Sequence, residues 1–303
     1  MELKTNKERL AVLAVQGEII HPVISGYRHY QNGTMLIVPG TGGITYNVKV
    51  GDPVNFHEGD HLEPGVTLKS SREVESMPLN VLSCIGNTAT VITGNAKGKA
   101  GIVTGKHSGV EHVLIDFADE ILDKLVIGDK ILVKAVGVGL KLDKFPGIHI
   151  FNSSPELIEK IPLKVSENKI SCPVAAIIPS AIMGSGLGTD MSYKGDYDIQ
   201  MFDPMANEKY GLNNLKLGDL VAITDTDHTY GRSYKQGFLA IGVIIHAKCG
   251  SAGHGPGVTT IATAKNDLLV PYLDKNANIG KYLQIGRYRN SKSNKGNKSS
   301  RRK

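Results

Sequence analysis

Apolar residues in this chain come in short runs bounded by glycine, proline and aspartate, and few stretches carry a helical period. That pattern argues for many short strands joined by tight turns. The expected strands in the first half are Leu10–Val15, Thr34–Val38, Ile44–Val50, Val66–Leu68, Val81–Ile85, Thr88–Ile92, Gly101–Thr104, His112–Asp116 and a run starting at Gly128. Those in the second half are Val174–Ile178, Ile199–Phe202, Leu220–Asp225, Phe238–His246 and Val258–Ala264. Two short helices stand out. Ala118–Leu125 has Asp119 and Glu120 at its N-terminal end, and Ile121, Leu122 and Leu125 are spaced to face a core. A second starts after Ser154, with Ser154 as N-cap, Pro155 at the first helical position and Glu156 in the first turn. The reading is an α+β, mostly β fold of two β-rich domains with few short helices. The expected boundaries are 1–140, 141–288 with the functional site, and a disordered basic tail at 289–303. Strand starts at Gly128-Asp129 and Gly218-Asp219 hint at two related β units without establishing a repeat.

Composition adds little to that picture, except at the C-terminus. The 35 glycines and the absence of tryptophan fit a turn-rich β protein. From Arg287 onward there are eight Lys or Arg and no acid, so the net charge of +6 becomes −2 for the rest of the chain. A basic tail without apolar periodicity serves solubility, or loose contact with nucleic acid. Cys84, Cys172 and Cys249 are odd in number and form no C-x-x-C pair, which disfavours a disulfide framework and fits a reducing compartment. No apolar run approaches the length of a membrane span, and the N-terminus has no secretory apolar core. A cytoplasmic protein is expected, with a small-molecule ligand, no membrane partner and a homo-oligomeric state.

The richest chemistry lies between Asp219 and Val258, where Asp225, Asp227, His228, Arg232, His246, Cys249 and His254 crowd one segment. Polar groups at strand ends are fixed by the sheet yet accessible through loops. Asp225, Asp227 and His228 suit a divalent metal or shared acid–base work; a polar hairpin turn explains them as well. Arg232 can grip a carboxylate or phosphate through its planar fork, or decorate a hairpin. His246, Cys249 and His254 have donors suited to zinc, and equally permit a Cys249 nucleophile with a histidine base. His254 sits in Gly253-His-Gly255, a glycine setting that a core histidine rarely needs, and loop N–H groups there can stabilise an oxyanion.

Weaker candidates lie elsewhere. Pro39-Gly-Thr-Gly-Gly43 can aim N–H groups of Gly42 and Gly43 at an anion, or simply turn a hairpin; it lacks the Lys and Ser/Thr of a nucleotide P-loop. His57, Asp60 and His61 are metal-ligand types at loose spacing. Met183-Gly-Ser-Gly-Leu-Gly-Thr-Asp190 is a second glycine-rich loop, and Asp190 is favoured over Asp198 because small residues precede it. Lys97–Gly105 resembles the KOW element of ribosomal and elongation proteins, with Lys97, Lys99, Lys106 and His107 as a basic edge, but it has no aromatic platform for bases.

Four segments carry a family resemblance: Tyr197-Asp-Ile-Gln200, Gly218-Asp-Leu-Val-Ala-Ile-Thr-Asp-Thr-Asp-His-Thr-Tyr-Gly-Arg232, Ile241-Gly-Val-Ile-Ile-His246 and Ala252-Gly-His-Gly-Pro-Gly-Val258. Together they resemble the prokaryotic family catalogued as domain of unknown function 4438, over about Asn6 to Tyr288. That resemblance brings no established activity. In the family pattern an acidic residue precedes the cysteine, where this chain has Lys248. The order of parts is more distantly similar to the acetamidase/formamidase family, with Gly42-Gly43, Asp60, Asp225 and His228 at the corresponding places. Fold analogy alone does not fix function.

The leading expectation is a metal-assisted hydrolase of small amide-like substrates. Asp225, Asp227, His228 and His246 would hold a divalent ion. His254, Asp227, His228 and Cys249 would be the catalytic candidates, and Gly42, Gly43, Asp190, Arg232, Gly253 and Gly255 would line the ligand. The alternative is an RNA- or ribosome-associated binding protein, acting through residues 97–107 and the tail. The two differ in salt dependence: only the second expects binding that weakens steeply with salt.

Overall fold

A computed structural model describes residues 3–24 and 26–289. The basic tail beyond Arg289 lies outside the described residues, and so does its expected disorder. The chain forms two β-rich units with a few short helices, as its pattern of short apolar runs implies.

The first unit is a closed antiparallel barrel. Its strands run in the order Leu13–Ile19, Lys130–Ala135, Thr88–Val91, Ala100–His107, His112–Asp116 and Gly65–Lys69, which returns to Leu13–Ile19 through Glu18 opposite Lys69. Closure removes free strand edges. Inward residues such as Val66, Val91, Val103, Val113, Ile131 and Val133 make one apolar core.

The stretch expected as a strand at Val81–Ile85 instead ends the helix Glu73–Leu82. Leu79 of that helix joins the barrel core. A Cβ at Gly17 would lie 2.8 Å from Leu79 Cδ2, so bare backbone in the facing strand is what admits the helix. Core packing here overrides the local β propensity of Val81, while Ile85, beyond the helix, pairs with Ser153 in a single bridge.

The second unit is a sheet ordered His149–Ile150, Gly257–Lys265, Ser233–Ile244, Leu220–Asp227 and Ala176–Pro179, with Tyr197–Asp198 also paired to Gly257–Lys265. A smaller sheet joins Lys164–Val165, Ile170–Val174 and Leu269–Leu273. The helix Pro155–Lys160 begins as expected, with Ser154 Oγ accepting from the Leu157 amide at 3.1 Å. The strand Gly257–Lys265 is buried along nearly its whole length. Its threonines survive there because each hydroxyl finds a partner: Thr259 with the Lys106 carbonyl, Thr260 with His228, and Thr263 with the Leu239 carbonyl.

Two features lock the units together. Lys106, fully buried, donates to the Val81 carbonyl, Asn152 Oδ1 and the Tyr193 carbonyl at 2.8–3.0 Å. The expected strand Ile44–Val50 shortens to Ile44–Thr45, and the chain then crosses to the second unit. The Gly51, Val54 and His61 amides donate to the carbonyls of Leu217, Leu215 and Lys248. That crossing delivers Asp60 and His61 to the junction.

Candidate functional site

The junction holds a buried chain of metal-ligand side chains drawn from both units. Asp60, His61 and Glu63 arrive on the crossing segment. His107 ends one barrel strand and His112 opens the next. Asp196 and Asp198 flank Tyr197. Alternation along a strand turns both carboxylates to one face and buries Tyr197 on the other. His246, Cys249 and His254 follow the strand Ser233–Ile244.

Gly257 lies opposite Asp198 in the paired strand, and it makes the room. A Cβ there would come within 1.8 Å of Asp196 Oδ2 and 2.3 Å of His246 Nε2.

Glu63 anchors the barrel side of the cluster. Its Oε2 accepts from the Gly42 amide at 2.8 Å and Thr67 Oγ1 at 2.5 Å; its Oε1 meets His107 Nδ1 at 2.5 Å and His112 Nδ1 at 2.9 Å. Burial opposes ionisation of Glu63, but the charge of His112 and the hydrogen bonds of His107 and His112 hold it well below the usual carboxylate range. Burial, with the charge of His246, pushes the His107 pKa down. A neutral His107 whose Nδ1–H is given to Glu63 keeps its Nε2 lone pair free, the arrangement by which outer carboxylates orient metal-binding histidines.

The central contacts are of a different kind. His246 Nδ1 donates to the Ala247 carbonyl at 2.8 Å, which turns Nε2 toward the two carboxylates. That Nε2 lies 3.0 Å from Asp196 Oδ2 and 3.5 Å from Asp198 Oδ1, yet neither it nor Asp196 Oδ2 makes an aligned hydrogen bond. His61 Nε2 is 3.2 Å from His254 Nδ1 and 3.6 Å from Asp198 Oδ2. Tetrahedral ligation at zinc-like distances separates donors by about 3.4 Å, so the spacing suits one ion. Two triads qualify, His61–Asp198–His246 and His107–Asp196–His246, and they share His246. Two further groups of three, Asp60–His61–Cys249 and Glu63–His107–His112, are equally close. In the latter, hydrogen bonds already occupy the facing atoms.

Electrostatics reflects this convergence. Burial disfavours charge on His246, but Asp196 and Asp198 push its pKa up to about 10. Burial likewise opposes charge on His61, and Asp198 and Asp60 raise it to about 12. Asp198 is depressed against burial by its bonds to His246, His254 and His61. The site demands a cation at its centre, as proton or metal. His61 also adopts φ +55°, a left-handed backbone that is uncommon outside glycine and collects at functional sites.

His254 is the cluster's opening. Its side chain is 38% exposed, against less than 10% for His61, Asp198 and His246. Nδ1 lies 3.0 Å from Asp198 Oδ2, and among the described residues its Nε2 has no partner. The Gly255 amide also reaches Asp198 Oδ2, at 3.3 Å. A Cβ at Gly255 would fall 1.7 Å from the Ile199 carbonyl, so that approach requires glycine.

Several residues expected at the site do other work. Among the described residues, no close donor group includes Asp225, Asp227 or His228. Asp225, at φ +53°, sits at a bulge and accepts from the Gly237 amide. Asp227 closes a turn with Thr229 and pairs with Lys235 Nζ at 2.8 Å. His228 is a core histidine: Nδ1 meets Thr260 Oγ1 at 2.8 Å and Nε2 meets Thr226 Oγ1 at 3.0 Å, so neither nitrogen is free for a metal.

Arg232 is buried and grips the chain of the second glycine loop through the carbonyls of Gly186 and Lys194, with its guanidinium over Tyr197. It therefore braces the strand that carries Asp196 and Asp198. Asp190 is exposed beside Gly231. Gly42 serves the cluster through Glu63, and Gly43 accepts from the Thr67 amide. Gly253 offers its carbonyl to the Ser185 amide. Cys249, free and buried, accepts from the Ser251 amide at 3.2 Å and lies close to Asp60 and His61.

The basic edge expected at residues 97–107 is reduced. Lys106 and His107 point inward, one as the bridge between units and one as a cluster member, leaving Lys97 and Lys99 exposed. Arg287 and Arg289, part of the basic C-terminal run, are docked on Asp52 and Asp116. A cleft of 620 Å³ opens between the N-terminal segment and the helix Pro155–Lys160; no cluster residue lines it. No helix among the described residues is long and apolar enough to cross a membrane.

Taken singly, Glu63, His112 and Asp196 carry no local signal of a site, and His107 reads as part of a basic edge. The available signals were the Asp60–His61 pair and the alternation Asp196-x-Asp198.

Known proteins add family context. Two family models match, described as Domain of unknown function (DUF4438), N-terminal, over residues 27–159, and the corresponding C-terminal domain over residues 160–283. A solved structure described as "Crystal structure of TM1086" is similar at TM-score 0.90 and 47% identity, covering 93% of this chain and 99% of that one. No curated protein matches this chain.

Proposed function

We propose that this chain, which belongs to the DUF4438 family, is a metal-dependent hydrolase of small amide-like substrates. The observation that carries the reading is the meeting of His246 Nε2 with Asp196 and Asp198 at 3.0 and 3.5 Å, without an aligned hydrogen bond, in a buried site. Burying such groups without a compensating cation is costly. Imidazole nitrogen beside carboxylate oxygen suits zinc, manganese or iron(II). His61, Asp198 and His246 are the proposed ligands, with Asp196 and His107 flanking from the barrel side.

A divalent ion held by these residues would lower the pKa of a bound water toward neutrality. The protein's own part is proton handling. Asp198 takes the Nδ1–H of His254 and leaves Nε2 facing the opening. From there His254 accepts the water's proton as the water oxygen bonds to the carbonyl carbon. It returns that proton to nitrogen as the C–N bond breaks, giving a carboxylic acid and an amine. The amide class rests on this pairing of an ion site with an exposed base.

The test is hydrolysis of formamide, acetamide and short N-acyl amines by protein loaded with zinc, manganese or iron(II). His254→Gln is expected to lower kcat by about 10²–10⁴-fold, the usual contribution of a general base, while retaining its ion. Ion-loaded protein that turns over none of these amides would remove the hydrolase reading.

A further inference from the structure

We infer that Arg28 is a specificity residue that reads a carboxylate on the substrate, so that N-acyl amino acids are preferred over neutral amides. The inference rests on the hydrolase reading and narrows it to a substrate class.

Arg28 is tied to the loop that carries His254. It begins the short ribbon Arg28–His29 with Met35–Leu36, and the ribbon is built onto the loop that carries His254. The Gln31 amide donates to the Gly250 carbonyl at 2.8 Å, and Ser251 Oγ to the His29 carbonyl at 3.3 Å. The Tyr30 ring lies flat on Gly250, where a Cβ would come within 2.5 Å of the ring. Only glycine permits that seat, so the position of Arg28 is fixed by the fold.

Its guanidinium is half-used. Nε lies 2.6 Å from Asp60 Oδ2, and Asp60 Oδ1 lies 3.2 Å from His61 Nδ1. Among the described residues, Nη1 and Nη2 make no hydrogen bond, Asp60 is the ion-pair partner of the guanidinium, and the side chain is 42% exposed. Asp60, itself buried, faces the group at its Nε edge as an ion pair without an aligned hydrogen bond, and the Nη pair has its hydrogen bonds to give. A planar fork gripped on one side matches a carboxylate on the other, through two parallel hydrogen bonds. Only Asp60 and His61 separate that fork from the proposed ion site. An N-acyl amino acid carries a carboxylate beside its amide, the two groups that the fork and the ion site would take. A neutral amide leaves the fork unused.

The experiment is isothermal titration calorimetry of the full chain with N-acetylglycine and with its neutral counterpart N-ethylacetamide. Both are measured with and without added zinc, for wild type, Arg28→Gln and Arg28→Lys. The expected result is tighter binding of N-acetylglycine by about ten- to a hundredfold, the range for hydrogen bonds to a charged group. Arg28→Gln should abolish that preference, and Arg28→Lys, which keeps the charge on Asp60 but not the fork, should retain part of it. Equal affinities in wild type, no binding of N-acetylglycine, or a preference that survives Arg28→Gln would overturn the inference. Because the wild-type comparison needs no variant, misfolding of Arg28→Gln leaves the test intact. Carboxylate preference without zinc uptake would separate failure of the metal reading from failure of this one.

Discussion

His228 and His246 flank one long strand, yet they are opposite kinds of histidine. Burial and the neighbouring charge of Arg232 push the pKa of His228 down to about 3, so it stays neutral in the fold. The unfolded chain protonates it near pH 6.5. The folded pKa is the lower one, so its contribution is constant above about pH 6.5 and is lost as pH falls from there toward 3. We expect thermal melts of His228→Gln to show a shallower loss of stability across that window than wild type. The variant should cost about 1–3 kcal/mol at pH 7, because Thr226 and Thr260 lose buried partners. Parallel pH profiles would contradict this.

Sequence alone could not tell these histidines apart. Asp-Thr-Asp-His looks more like a metal motif than a lone histidine at a strand end, yet the threonines at 226 and 260 absorb the first and two distant aspartates converge on the second.

At the scale of elements, the site depends on a strand of two residues, Tyr197–Asp198, against Gly257. A pair so short, rich in aspartate, reads as a turn, and the apolar pattern puts the strand just after it at Ile199–Phe202. By contrast His112–Asp116 and the Ser154-capped helix were legible, because alternation and capping are local signals. Gly257→Ala tests the element directly, since its Cβ would collide with Asp196 and His246. We expect loss of ion binding with the barrel intact, checked by ion content beside circular dichroism. Full ion content in Gly257→Ala would mean that the centre lies elsewhere. Thr226→Val serves as a contrast: it should lower the melting temperature and leave ion content unchanged.

For the whole molecule, the site exists only because the two units are joined. Two β-rich units could be read from the apolar runs. Their docking could not, since it rests on contacts far apart in sequence, such as Lys106 with Asn152 and Tyr193. Burial lowers the Lys106 pKa to about 8, and three acceptors satisfy its ammonium. Lys106→Met would leave those acceptors unpaired, and a loss of about 2–4 kcal/mol is expected from denaturant unfolding. A change under 1 kcal/mol would mean that the junction is held by its apolar contacts instead.

The most direct test of the account is the ion content of purified protein by elemental mass spectrometry, for wild type, His246→Gln and His228→Gln. The expected result is close to one equivalent of a divalent transition ion in wild type and in His228→Gln, and almost none in His246→Gln. No ion in wild type after incubation with zinc, manganese and iron(II), or equal retention in His246→Gln, would contradict a metal centre at the junction.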